Sequence, residues 1–148
     1  MKSAATLSRV LSVFLVFLFA FAALSSLAAQ TRMSDKDVEQ LMKNMDQDSK
    51  KFQSLFNSAV SKSVIRKTSQ EKDAKKLVDS FQKGTKTLYD HFKHTKKSDP
   101  YLQNSLDSAA QIDKFLQTTQ LGADTNAQWA RVRKELNDLA AAFNMPVR

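Results

Sequence analysis

His91 and His94 are the only histidines in the 148-residue chain. At i and i+3 they would stand one helical turn apart and could share a metal ion if both faced a core. At about 100 degrees per residue, the apolar positions Ala74, Phe81 and Phe92 set a stripe from which His91 lies roughly 90 degrees away and His94 roughly 150 degrees. His94 is therefore expected on the surface. Haem would pair a histidine with Met42 or Met45, yet the chain has no Cys and so no C-x-x-C-H attachment signal. Methionines on an apolar stripe are ordinarily core filler. Carboxylate-bridged metal pairs in helical bundles use Glu-x-x-His repeats. Beyond residue 29 only Glu39, Glu71 and Glu135 are glutamates, and none begins such a repeat. The aspartates fall mostly at expected helix caps and outer faces. A Gly-rich phosphate loop, a G-x-S-x-G elbow and a cysteine nucleophile are all missing from the sequence. The expectation is a protein that is not an enzyme, with no catalytic residues, no metal ligands and no cofactor.

Charge is the stronger signal. Residues 62–97 hold 11 basic and 4 acidic side chains, whereas the rest of the chain after residue 29 holds 10 and 11. The positive excess is thus confined to 36 residues. Lys62, Arg66, Lys67, Lys72, Lys75 and Lys76 crowd its first part, together with Val64 and Ile65. A lysine-rich face of this kind suits an anionic partner, such as anionic lipid, lipopolysaccharide or an acidic protein, and it also suits a merely solvated surface. Nucleic acid fits poorly, because aromatic residues do not interleave with the lysines and Arg66 is the one arginine in the segment.

The first 29 residues are a different material. Of these, 21 are apolar, against 41 of the following 119. Lys2 and Arg9 precede an apolar run from Val10 to Leu24, and small residues follow from Ser25 to Ala29. That order reads as a secretory signal peptide over residues 1–29, cleaved after Ala28 or Ala29. An uncleaved membrane anchor is the alternative, against which the run is shorter than the roughly 20 residues that span a bilayer. Residues 30–148 then form a single domain, exported to a periplasmic or extracellular location and touching the membrane through its leader only before cleavage. Lacking cysteine, that domain forms no disulfide and takes no lipoprotein anchor, so packing alone must stabilise it.

Two glycines and two prolines in the whole chain argue for long helices over sheets. Helix one is expected from the Ser34 cap to near Lys62, with Val38, Leu41, Met42, Met45, Phe52, Leu55, Phe56 and Ala59 as its stripe and a polar skip at Asp48–Ser49. Helix two opens on the capping box Thr68-x-x-Glu71 and runs to near Lys97. Its stripe is Ala74, Leu77, Val78, Phe81, Leu88, Tyr89 and Phe92. Gly84 and Thr85 occupy the stripe's next position, and Gly84 is read as a close approach by a neighbouring helix. Helix three should begin with Asp99 as cap and Pro100 at its first position, and Gly122 should stop it. Helix four should start after Asp124 or Thr125 and end at Asn144 and Pro146.

Short connections make sequential neighbours antiparallel. The expected fold is all-α, an antiparallel up-down four-helix bundle, with a coiled-coil hairpin dimer as the alternative. Helices one and two, at about 28 residues each, would be some 42 Å long. Helices three and four, at about 20, would reach some 30 Å. The first hairpin would then project beyond the second and expose a tip around residues 58–74.

The closing block Trp129-x-x-x-Arg133-x-x-Leu136-x-x-Leu139-Ala140, with Ala110–Leu116 before it and Ser34-Asp-Lys-Asp-Val38 early on, resembles a set of uncharacterised exported bacterial helical-bundle proteins. The resemblance covers most of the chain after the leader. It implies a bacterial envelope protein without a known activity, and packing or capping roles for Trp129, Arg133 and Leu136. The Leu-Thr-x-x-Gln repeat of one group of periplasmic helical chaperones is not matched, since Leu116–Gln120 reads Leu-Gln-Thr-Thr-Gln. The expected function is non-enzymatic binding of an anionic envelope component or protein through the basic helix-two face. A periplasmic holdase-type chaperone, by analogy of shape and charge, is the alternative.

Overall fold

Apolar residues recurring every three or four positions build four amphipathic helices, and the computed structural model has four among its described residues: α1 Asp35–Val60, α2 Ser69–Thr95, α3 Tyr101–Thr118 and α4 Ala123–Ala142. The structure describes residues 33–98 and 100–146, and no strand occurs among them. The expected leader over 1–29, its cleavage point and the Asp99 cap lie outside the described residues. No helix among the described residues is long and apolar enough to cross a membrane.

The helix ends follow local chemistry. Ser34 caps α1, its Oγ accepting from the Asp37 N–H at 3.2 Å. Asp35 and Asp37 sit in that first turn, where the helix dipole favours negative charge. Thr68 caps α2 by accepting from the Glu71 N–H at 3.3 Å. Helix α2 stops at Thr95 because Lys96 takes a left-handed conformation with φ 57°. Two expectations are corrected. Pro100 stands one residue before the first helical position of α3 instead of on it. Gly122 belongs to the start of α4 and not to the end of α3, which finishes at Thr118 with Thr119 extended. At φ 92° Gly122, the N-cap residue, holds a backbone shape that L side chains rarely adopt, so the chain can turn into Ala123 without a side-chain cap.

Helix α1 packs on α2 and α4, α2 packs on α3, and α3 and α4 touch least. The α1–α2 seam is marked by pairs that run from Lys96–Glu39 (2.7 Å) through Gln82–Asp46 (3.3 Å), Ser49–Thr85 (2.9 Å) and Gln53–Asp79 (3.1 Å) to Lys75–Ser61 (2.7 Å). Backbones of α1 and α3, and of α2 and α4, stay apart. Aromatic rings close that gap. Phe56 of α1 meets Phe115 of α3 at 5.5 Å between centroids, and Phe81 of α2 meets Trp129 of α4 at 5.4 Å. Phe52 lies 4.7 Å from Trp129 and 5.5 Å from Phe56, joining both contacts into one cluster.

The stripes occupy the core largely as their spacing requires. Val38, Met42, Met45, Phe52 and Phe56 of α1 are buried, as are Val78, Phe81, Leu88 and Phe92 of α2. Leu55 is the exception at 38% exposed, because it flanks the stripe that Phe52 and Phe56 centre. The polar skip is also corrected. Ser49 is fully buried and continues the stripe between Met45 and Phe52. Its hydroxyl lies 2.9 Å from the Asp46 carbonyl and 2.9 Å from Thr85 Oγ1, which in turn lies 2.8 Å from the Gln82 carbonyl, so one hydroxyl donates to its carbonyl and the other donates to its partner hydroxyl or to its own carbonyl. Both hydroxyls are satisfied locally, so burying them costs little.

Next to that layer, a Cβ added at Gly84 would meet Ser105 Oγ at 3.7 Å, an ordinary contact. Helix α3 does face Gly84, yet it leaves room for a methyl group. Gly84→Ala should therefore stabilise the protein by about 0.5–1 kcal/mol, through the lower backbone entropy of the unfolded chain. Chemical denaturation of the two proteins measures this directly.

Candidate functional site

The basic segment begins in the turn joining α1 to α2. That turn is internally bonded. The amides of Lys62, Ser63, Arg66 and Thr68 donate to the carbonyls of Ala59, Val60, Ser63 and Ile65 at 3.0–3.2 Å. Ser63 Oγ donates to the Val60 carbonyl at 2.8 Å and accepts from the Ile65 amide at 3.3 Å. Ile65 points inward at 8% exposed, and Val64 points outward at 97%. Lys67 holds the left-handed region with φ 64°, a shape that costs a non-glycine residue energy and needs support.

Glu71 supplies the support. One carboxylate oxygen accepts from the Lys67 amide, and the other accepts from Lys75 Nζ at 2.6 Å and Ser61 Oγ at 3.1 Å. These bonds, led by the one from Lys75, lower the Glu71 carboxyl to about 2. The capping box thus forms in modified register: Thr68 caps Glu71 as expected, while Glu71 reaches back to Lys67 and not to Thr68.

The six expected site residues do not behave alike. Lys75 is half-buried and committed to Glu71 and Ser61. Lys62, Arg66, Lys67, Lys72 and Lys76 are exposed, and no ion pair engages their side chains among the described residues. Further along α2 the charge is largely neutralised, with Lys83 on Asp79 at 2.8 Å, Lys86 on Asp90, and Lys96 on Glu39 at 2.7 Å. Lys93 and Lys97 remain exposed near the far end. Within residues 62–76, Asp73 is exposed and is the one acidic residue besides Glu71. The positive field is therefore concentrated on the turn and the first turns of α2.

Other residues marked for chemistry take structural roles. His94 is exposed, as its angle predicted. His91 packs against Tyr101 with ring centroids 4.6 Å apart and planes tilted by 47°, and its Nδ1 lies 3.1 Å from both the Lys97 carbonyl and the Thr95 hydroxyl. Met42 and Met45 are fully buried in the core. Trp129 Nε1 donates to Asp113 Oδ1 at 2.7 Å, and Arg133 Nε lies 3.2 Å from Asp113 Oδ2. The Trp-x-x-x-Arg spacing of the closing block thus lets one face of α4 hold both oxygens of a single α3 carboxylate. No group of three or more His, Asp or Glu side chains positioned for a metal ion occurs among the described residues. No family model, curated protein or solved structure matches this chain.

One polar feature was hidden from sequence reasoning. Asp48 of α1 is buried at 8% exposed, with Oδ1 at 3.1 Å from Lys51 Nζ and its carbonyl accepting from Gln128 Nε2 at 3.1 Å. Glu135 of α4 faces it. Burial raises the Glu135 carboxyl to about 7, and the Asp48 charge and a hydrogen bond to Asp48 add to the rise, while Arg131 partly offsets it. Glu135 Oε2 is buried without a donor from the chain. The hydrogen bond to Asp48 exists only while Glu135 carries a proton. The hints in the sequence were the Asp48–Ser49 skip and a glutamate adjoining the α4 stripe, but only the α1–α4 pairing brings them together.

The sign of the pH effect follows. The folded value of about 7 lies above the ordinary 4.5. The contribution of Glu135 to stability is therefore complete below about 4.5 and is lost as pH rises through 7. Thermal midpoints should fall between pH 5 and pH 8, and Glu135→Gln should flatten that dependence. A wild-type midpoint that stays level across this window would refute the protonated pair.

Proposed function

We propose that this is an exported, non-enzymatic helical-bundle protein that binds an anionic envelope component or protein through the turn between α1 and α2. The observation that carries the proposal is the separation of paired from unpaired cations. Lys62, Arg66, Lys67, Lys72 and Lys76 are exposed without carboxylate partners among the described residues, as are Lys93 and Lys97 at the far end of the segment, whereas Lys75, Lys83, Lys86 and Lys96 are each bound to one. A solvated lysine face needs no such sorting. A charged recognition surface does, because each internal ion pair subtracts from the field a partner meets. Export rests on the leader pattern, and a bacterial envelope setting on the resemblance of the closing block.

The proposed architecture is an up-down antiparallel bundle whose first hairpin is the longer one. In its favour, α1–α2 contacts run in opposite senses, from Glu39–Lys96 to Ser61–Lys75. The helix lengths of 26, 27, 18 and 20 residues favour a longer first pair. On this architecture the basic turn lies at one end of the bundle, with Ser69, Gln70 and Ala74 beside Gln111 and Phe115 of α3. A holdase is the second reading. Its clients would need an apolar contact surface, and only Leu55 and Val64 are exposed large hydrophobics among the described residues.

Replacing Lys62, Arg66, Lys67, Lys72 and Lys76 together with Gln tests the proposal. Each cation near an anionic surface contributes about 1 kcal/mol, so co-sedimentation with isolated envelope fractions at low salt should fall by about ten-fold or more. Salt should weaken wild-type binding in the same direction. Equal binding by the two proteins would sink the proposal. Intact mass of the exported protein should separately show a new N-terminus at Ala29 or Gln30.

A further inference from the structure

We propose that the anionic partner is a lipid bilayer surface, on which the α1–α2 turn docks with the Val64 side chain inserted among the headgroups. This rests on the anion-binding reading above and names its partner.

Val64 is 97% exposed, while its neighbour Ile65 is buried and anchors the turn from beneath. An isolated, outward aliphatic side chain on an otherwise polar turn offers little to a protein partner, whose stable interfaces bury about 800 Å² a side. It does suit the boundary between headgroups and acyl chains, where one apolar side chain enters and surrounding lysines stay with lipid phosphates. Charge complements that placement. Lys62 and Arg66 each stand two residues from Val64, Lys67 follows, and Lys72 and Lys76 extend the exposed positive surface along α2.

The backbone is the second argument. A peptide segment entering a water-poor interface must bring its own hydrogen bonds. In this turn the amides on either side of Val64, those of Lys62, Ser63, Ile65, Arg66, Lys67 and Thr68, are bonded within the protein, and the Val64 amide is the one in the turn that is not bonded among the described residues. Glu71, the clamp for Lys67, is itself held by Lys75 and Ser61. The turn is therefore preformed, and docking requires little ordering of the chain.

The chain contains no cysteine, so Val64→Cys allows a single environment-sensitive fluorophore to be placed at the contact. The experiment uses the protein as recovered from the cells that make it. Its probes are phosphatidylglycerol-containing vesicles, pure phosphatidylcholine vesicles and soluble polyglutamate at low salt. The label at 64 should shift to the blue and escape an aqueous quencher on phosphatidylglycerol vesicles only. The same label at Ser80 or Gln117, both exposed, should stay in water. Val64→Ser should weaken partitioning into these vesicles about three- to ten-fold, with thermal midpoint and polyglutamate retention unchanged. Lys62→Gln and Arg66→Gln should each weaken it about five-fold.

Vesicle binding with an unshifted label at 64, or equal binding by Val64→Ser, overturns the insertion and leaves the anion-binding reading standing. Retention by polyglutamate without vesicle binding does the same and points to an acidic protein. Equal binding to phosphatidylcholine overturns the need for anionic lipid. Binding to none of these probes and to no envelope fraction removes both proposals.

Discussion

Aromatic packing across the centre of the helix ring is the constraint on which the rest of the structure depends. The backbones meet only around the ring, from α1 to α2, α2 to α3, and α4 back to α1, with a thin contact between α3 and α4. Phe52, Phe56, Phe81, Phe115 and Trp129 fill the space that this leaves. A chain with no disulfide has no covalent substitute for that cluster. Trp129 serves twice, because its ring packs among the phenylalanines while its Nε1 binds Asp113. The polar end of that side chain supports the weakest seam, assisted by Arg133 on the same carboxylate.

A second layer of the core trades packing for hydrogen bonds. Ser49 and Thr85 join α1 to α2, and Asp48 meets Glu135 between α1 and α4. The hydroxyl pair is satisfied and inexpensive. The carboxyl pair needs a proton to be satisfied, which ties the α1–α4 seam to pH. Truncating Trp129 and titrating Glu135 would therefore disturb the same helix through unrelated physics, one by opening a cavity and the other by charging a buried site.

Most of the helices were legible in the sequence. Ser34, Thr68 and Glu71 announced two N-termini by short-range chemistry, and the three-and-four spacing of Val38, Met42, Met45, Phe52 and Phe56 defined a face without reference to anything else. The errors arose where local signals had two uses. Gly122 can end a helix or precede one, and its φ of 92° is decided by where the chain must turn. Ser49 is polar, so spacing alone registered a gap where Thr85 supplies a partner from 36 residues away. The candidate site was legible as a composition and not as a surface. Six basic residues stood together in the sequence, and the one local signal that separated Lys75 from Lys72 and Lys76 was Glu71 four residues before it.

By itself the sequence determined what depends on neighbours within a few residues: helices, caps, a core stripe on each, an apolar leader pattern, and a positive charge confined to residues 62–97. These follow from periodicity and from side chains reaching their own backbone, both encoded at short range. Pairs four residues apart, such as Lys83–Asp79 and Lys86–Asp90, follow from helical spacing, whereas only the tertiary structure decided which charges meet across helices and which polar groups are buried. It set Lys96 on Glu39 across 57 residues, brought Glu135 against Asp48, and left Val64 outside while Ile65 went in. The physical reason is that solvation and Coulomb interactions depend on distance in space, and that distance exists only once the helices have chosen their neighbours.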